Sequence, residues 1–121
     1  MAKKYSKDFI KKKKDRLLND RLDTENHIKD LKKNDPFSDP DHASDNAAID
    51  TDVREQVEHD TVEAQIKSLN RKLEFINISL EKISKNKYGY CERCGDQILS
   101  KRLDLIPEAK YCINCEQELV Q

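Results

Sequence analysis

From Val62 onward the apolar residues fall at Val62, Ile66, Leu69, Leu73, Ile76, Leu80 and Ile83, with gaps that alternate between four and three. Apolar side chains repeating every 3.5 residues line one narrow stripe of an α-helix, the seam of a coiled coil. Carried backward, the same register places Asp52, Glu55 and His59 on the seam while Val53 and Val57 drift off it, so apolar packing should weaken toward the start of this helix. An earlier segment, about Tyr5 to Lys33, has no Gly or Pro, and its Ile10, Leu17, Leu18, Leu22, Ile28 and Leu31 are consistent with one helical face. Between the two lies Asn34 to Asp45, where Pro36, Pro40 and a run of Asn and Asp end one helix and can cap the next. Each helix alone would expose its seam. The pattern therefore predicts a mainly α fold, a long antiparallel two-helix coiled coil whose second helix, about 40 residues, spans on the order of 60 Å. Heptads alone would also suit an intermolecular coiled coil; two seam-bearing segments flanking one breaker cluster favour the intramolecular pair and a monomer.

Basic residues followed by Lys87-Tyr88-Gly89-Tyr90 supply a glycine stop, which predicts that the second helix ends near Asn86. The hairpin then occupies residues 1–87, with its tip at about 34–50, and a compact module occupies 88–121. Composition agrees with this division. With 39% charged residues, 36% hydrophobic residues and no Trp, the chain cannot bury a large core, whereas elongated helices need only a seam. No apolar run approaches the roughly 18 residues of a membrane span, and Met1-Ala2-Lys3-Lys4 leads into polar sequence, which predicts a soluble, cytoplasmic protein.

Charge changes the picture more than composition does. Residues 1–33 carry 12 Lys/Arg against 6 Asp/Glu, residues 34–63 carry 1 against 10, and residues 64–121 carry 10 against 8. The formal net charge of -1 thus hides an acidic block centred on the predicted tip.

The candidate chemistry lies at the other end. Cys91-Glu92-Arg93-Cys94 and Cys112-Ile113-Asn114-Cys115 are two CxxC pairs separated by seventeen residues, inside the range of four-cysteine zinc sites. Each pair presents two sulfurs to one side of a tight turn, and two turns close a tetrahedron around one Zn2+. Gly95 can supply the positive φ that such turns require. Four protein ligands leave no open position, so Cys91, Cys94, Cys112 and Cys115 predict a structural site. Disulfides would need an oxidising compartment, and a redox CxxC would need a βαβ context. Four thiolates also suit an iron–sulfur cluster, which the regular pairing disfavours. Ile98, Leu99, Leu103, Leu105, Ile106, Tyr111 and Leu119 are expected to pack around the site, and Arg93, Lys101 and Arg102 are surface cations or nucleic-acid contacts. His27, His42 and His59 are most simply surface residues; His42 and His59 could join acidic neighbours in a second metal site, which no ligand spacing supports, and no nucleophile triad, P-loop or open metal arrangement points to an enzyme.

Tyr88-Gly89-Tyr90-Cys91-Glu92-Arg93-Cys94-Gly95, Ile98, Lys101-Arg102-Leu103, Pro107, Ala109 and Tyr111-Cys112-Ile113-Asn114-Cys115 resemble the DksA/TraR C4-type zinc finger. The preceding hairpin with an acidic tip extends the resemblance to the whole architecture. It implies a transcription regulator that binds bacterial RNA polymerase directly rather than reading DNA sequence, and that inserts its coiled-coil tip into the secondary channel to modulate initiation. The family's tip pattern, Asp-x-x-Asp-x-Ala, is met only in part. One alignment keeps Asp45 and Ala47 with His42 in place of the first Asp; another keeps Asp39, Asp41 and Ala43 with one residue deleted. Where members that respond to ppGpp carry basic residues, this chain has Phe75, Ile106 and Glu116, which implies no ppGpp synergy. With six residues after Cys115, the C-terminal helix of longer members is expected to be absent or vestigial. The alternative reading is a zinc-ribbon adaptor or nucleic-acid binder whose coiled coil engages another protein or dimerises.

Overall fold

A computed structural model describes residues 5–38 and 49–120. Its elements are α1 (Lys7–Lys33), a 3-10 turn (Pro36–Ser38), α2 (Ile49–Ser84), α3 (Ser100–Leu105) and α4 (Ile113–Val120). Asp39, Asp41 and Asp45, with the other residues of 39–48, lie outside the described residues. Among the described residues there is no strand, only an isolated bridge between Tyr90 and Gln97.

α1 starts where the Ser6 hydroxyl accepts the Phe9 backbone N–H at 3.1 Å, satisfying one of the donors that a helix start leaves open. α1 and α2 pack against each other, Arg21 meeting Asn77 and Asp35 meeting His59. Partner numbers fall along α2 as they rise along α1, so the pair is antiparallel.

The seam of α2 follows the heptad. Glu55, His59, Val62, Ile66, Leu69, Leu73, Leu80 and Ile83 are all half-buried and Ile76 fully buried, whereas Val53 and Val57 are each 59% exposed. The face of α1 differs from the expected one. Leu17 and Ile28 are buried, but Leu18 and Leu22 are 36% and 58% exposed, and Thr24 takes an inward position instead. From Leu17, steps of seven and four residues reach Thr24 and Ile28, while Leu18 and Leu22 sit about 100° or more around the helix. The Thr24 hydroxyl donates to the Asp20 carbonyl at 2.7 Å, so its burial leaves no open donor.

α2 ends without the glycine. Asn86 adopts φ 59°, its N–H donates to the Ile83 carbonyl, and the Lys87 N–H reaches back to the Lys82 carbonyl at 2.8 Å. This pair of bonds is a Schellman motif with Asn in the left-handed position. Gly89, with φ 97°, serves packing: a Cβ there would lie 2.7 Å from the Tyr5 ring.

The core sits where the base of the hairpin meets the C-terminal module. Leu17 of α1 and Ile76 of α2 cluster with Tyr88, Cys91, Ile98, Leu103 and Cys115, and Tyr5, Phe9 and Ile10 pack against them. The Tyr5 hydroxyl donates to the Ile98 carbonyl, Lys13 pairs with Asp104, and Arg16 donates to the carbonyls of Asp104 and Leu105. Of the residues expected around the cysteines, Ile98 and Leu103 are buried and Tyr111 half-buried, whereas Leu99, Leu105, Ile106 and Leu119 are exposed. α3 is only six residues long and turns one side, that of Leu103, to the core.

Candidate metal centre

Two short returns of chain bring the cysteines together. The first follows α2: the Cys91 N–H donates to the Asp96 carbonyl at 2.8 Å and the Gly95 N–H to the Cys91 carbonyl at 3.0 Å, closing a tight turn in which Gly95 takes φ 80°. The second opens α4, whose first turn carries Cys115 while Cys112 just precedes it. The Glu92 N–H donates to the Lys110 carbonyl at 2.9 Å and laces the two returns together.

The four sulfurs lie within 4.8 Å of one another. Cys91 and Cys115 are buried, Cys112 is half-buried and Cys94 exposed. A tetrahedral zinc with Zn–S bonds of about 2.3 Å places its ligands about 3.8 Å apart. The Cys94 and Cys112 sulfurs are 3.8 Å apart. Burial would push the Cys91 thiol up, but the backbone N–H groups of Cys94, Cys112 and Arg93 outweigh it and bring the pKa down to about 6. Burial, reinforced by the neighbouring thiols Cys112, Cys91 and Cys94, pushes Cys115 up to about 12. Four sulfurs this close cannot all ionise unless a cation shares them, which is the chemistry of a closed thiolate zinc site. The donor set fits one structural Zn2+.

Around the centre four basic residues have partners within the fold. Arg93 pairs with Glu118, the Arg102 Nε donates to the Tyr111 carbonyl at 2.9 Å, and Lys82 and Lys110 both pair with Glu92. Of the three cations weighed as nucleic-acid contacts, Arg102 is held within the module, Arg93 is paired at its surface and Lys101 is exposed. Sequence reasoning assigned Tyr88 and Pro107 no structural role. Tyr88 is 4% exposed and donates its hydroxyl to the Pro107 carbonyl at 2.7 Å, joining the end of the hairpin to the loop between α3 and α4. The adjacent glycine was the available sign that Tyr88 sits in a crowded place.

Phe75, Ile106 and Glu116, far apart in sequence, line one cavity of about 240 Å³ between α2 and the module. Arg71, Lys72 and Lys110 line it too, and the Lys110 ammonium stands 4.8 Å from the centre of the Phe75 ring.

Residues 86–121 match the family model of the prokaryotic dksA/traR C4-type zinc finger. The chain is 36% identical over 101 residues to the RNA polymerase-binding transcription factor DksA of Escherichia coli K12, which covers 82% of this chain and 59% of that protein. It is 50% identical over 44 residues to a protein of Aquifex aeolicus whose name gives no function, covering 36% of this chain and 30% of that one. Transcription factor DksA2 from Pseudomonas aeruginosa shares the fold, with a TM-score of 0.78, 20% identity, and coverage of 94% of this chain and 84% of that one. The chain spans 30%, 43% and 59% of the length of three curated relatives it matches. The resemblance read from residues 88–115 is thus shown, and it extends to the hairpin as a fold.

Proposed function

Starting from a DksA/TraR-type zinc finger set beneath a two-helix hairpin, we propose that this chain is a transcription regulator that binds bacterial RNA polymerase directly. One observation carries the reading: the finger and the hairpin occur together, in the arrangement of a transcription factor's fold and with sequence identity to an RNA polymerase-binding factor across both. Cys91, Cys94, Cys112 and Cys115 hold the zinc, which folds the base and takes no part in chemistry. The hairpin enters the secondary channel, and Asp39, Asp41 and Asp45 at its tip modulate initiation. A rod of about 54 Å, the length of a 36-residue helix, can carry carboxylates into a narrow pore while the finger stays outside. The protein acts in the cytoplasm as a monomer, has no enzymatic activity and reads no DNA sequence; Arg93 and Arg102, paired within the finger, support the last point.

Phe75, Ile106 and Glu116 support action without ppGpp, because two apolar side chains and a carboxylate stand where the resemblance implies cations. Arg71, Lys72 and Lys110 in the same cavity make that a sharp test.

Purified components test the reading. The protein is expected to co-elute with bacterial core polymerase and to change initiation from a ribosomal RNA promoter equally with and without ppGpp. Replacing Asp39, Asp41 and Asp45 by Asn should leave binding intact and alter the effect on initiation. Failure to co-elute and to affect initiation would sink the proposal and return the chain to the adaptor reading.

A further inference from the structure

A second group of metal-ligating atoms lies about ten residues below the described end of the hairpin, well away from the cysteines. His59 and Glu63 share one face of α2, Asp60 stands about 100° around it, and the ligand atoms of the three lie within 4.8 Å of one another, with Asp60 also accepting the Gln56 side-chain amide at 2.9 Å. What makes the group more than surface charge is the way the imidazole is held. Asp35, from the loop that follows α1, places its two carboxylate oxygens 2.9 and 2.8 Å from Nδ1 of His59. Asp35 is itself fixed, accepting the Phe37 backbone N–H at 3.0 Å, and the Phe37 ring packs on the imidazole with centres 4.5 Å apart. A carboxylate can only accept, so Nδ1 carries the hydrogen and donates it. Nε2 is then the free lone pair of a neutral imidazole, and it stands 3.0 Å from a carboxylate oxygen of Glu63. Two acceptors cannot face each other at that distance unless a cation lies between them. A proton on Nε2 is one such cation; a metal ion is the other.

We propose that His59, Asp60 and Glu63 bind a divalent transition ion of the Zn2+ type, with Nε2 and two carboxylate oxygens as ligands and Asp35 orienting the imidazole from behind. An imidazole with two carboxylates suits borderline ions, and a metal-ligating histidine characteristically donates its other N–H to a carboxylate. His59 and Glu63 are one helical turn apart, so both reach the same ion without any change in the backbone. Three protein ligands leave positions open to water, unlike the closed cysteine site. Asp35 precedes the acidic stretch 39–45 in sequence, so an ion here would clamp the segment just ahead of that stretch to α2. The site stands independently of the polymerase reading, which could fail without touching it.

The test uses the whole 121-residue chain with its finger already loaded, titrated with further Zn2+ at pH 8 and followed by calorimetry and by histidine 15N NMR. One additional equivalent is expected, with the Nε2 resonance of His59 moving to a ligated position while Nδ1 keeps its proton. His59→Gln should abolish that equivalent, Glu63→Gln should weaken it at least tenfold, and Asp35→Asn, which leaves all three ligands in place, should weaken it by about 10 to 100-fold. Circular dichroism monitors folding, and Glu63→Gln preserves the contact between Asp35 and His59. An unmoved Nε2 resonance at millimolar Zn2+ would mean that a proton alone fills the gap, and would overturn the proposal. So would a second equivalent that survives His59→Gln or is indifferent to Glu63→Gln.

Discussion

The two glycines of the chain both have positive φ, yet their surroundings make different demands. At Gly89 a Cβ would meet the Tyr5 ring at 2.7 Å, whereas at Gly95 it would meet nothing within 4 Å. Both substitutions by Ala incur the left-handed cost, about 1–2 kcal/mol. Gly89→Ala must also displace Tyr5, whose hydroxyl ties α1 to the Ile98 carbonyl. Urea denaturation of the zinc-loaded protein should therefore show Gly89→Ala losing clearly more stability than Gly95→Ala. His59 gives a second contrast. Its hydrogen bond to Asp35, followed by the charges of Asp35 and Glu63, raises its pKa above the ordinary 6.5. A raised pKa means stabilisation that is full below the unfolded value and is lost as pH rises through the folded one. In buffer free of added transition metal, His59 should titrate above the ordinary 6.5 by NMR, and Asp35→Asn should move it back down. The cysteine site was legible because four thiols at this spacing suit few chemistries besides a closed metal centre. The Asp35–His59 contact was not, because its partners are 24 residues apart and only the fold joins them.

At the scale of the helices, the seam of α2 could be read and the seam of α1 only in part. In α2 every register position from Val62 to Ile83 is aliphatic, so the period stands out. In α1 inward-facing positions are filled by half-buried Lys13 and buried Thr24, while Leu18 and Leu22 point outward and imitate a face. A lysine covers apolar surface with its methylenes, and a threonine hides its hydroxyl in its own helix, so polar letters can occupy a packed position. Leu17→Ala should then cost about 2–5 kcal/mol and Leu22→Ala less than about 0.5 kcal/mol, read from thermal or urea unfolding. The end of α2 follows the same logic. Glycine is the commoner left-handed stop, but Asn86 takes that position and leaves Gly89 to make room for Tyr5. Glycine signals that the backbone or a neighbour needs space, without saying which.

For the whole molecule, the cysteine centre and the hairpin share one core. Cys91 and Cys115 belong to the same cluster as Leu17 and Ile76, so the metal supports the base of the rod as well as the finger. Removing zinc with a chelator should loosen the contact between Tyr5 and Ile98 and lower the thermal stability of the helical signal, not merely unfold the module. Circular dichroism before and after chelation, with zinc added back, checks this. Residues 49–60 of α2, where the seam turns polar, should exchange their amides faster than residues 73–83 beside the core.

The shared core also orders events in time. Tyr5 and Ile98, which meet at its edge, are 93 residues apart, and at ordinary rates of chain synthesis roughly 5 to 20 s separate their appearance. Throughout that interval the Tyr5 hydroxyl lacks the Ile98 carbonyl it donates to, and after it the second cysteine pair must still emerge. The base of the rod is thus completed last, and a chain made while zinc is scarce is expected to carry a hairpin whose base lacks the part that the metal holds.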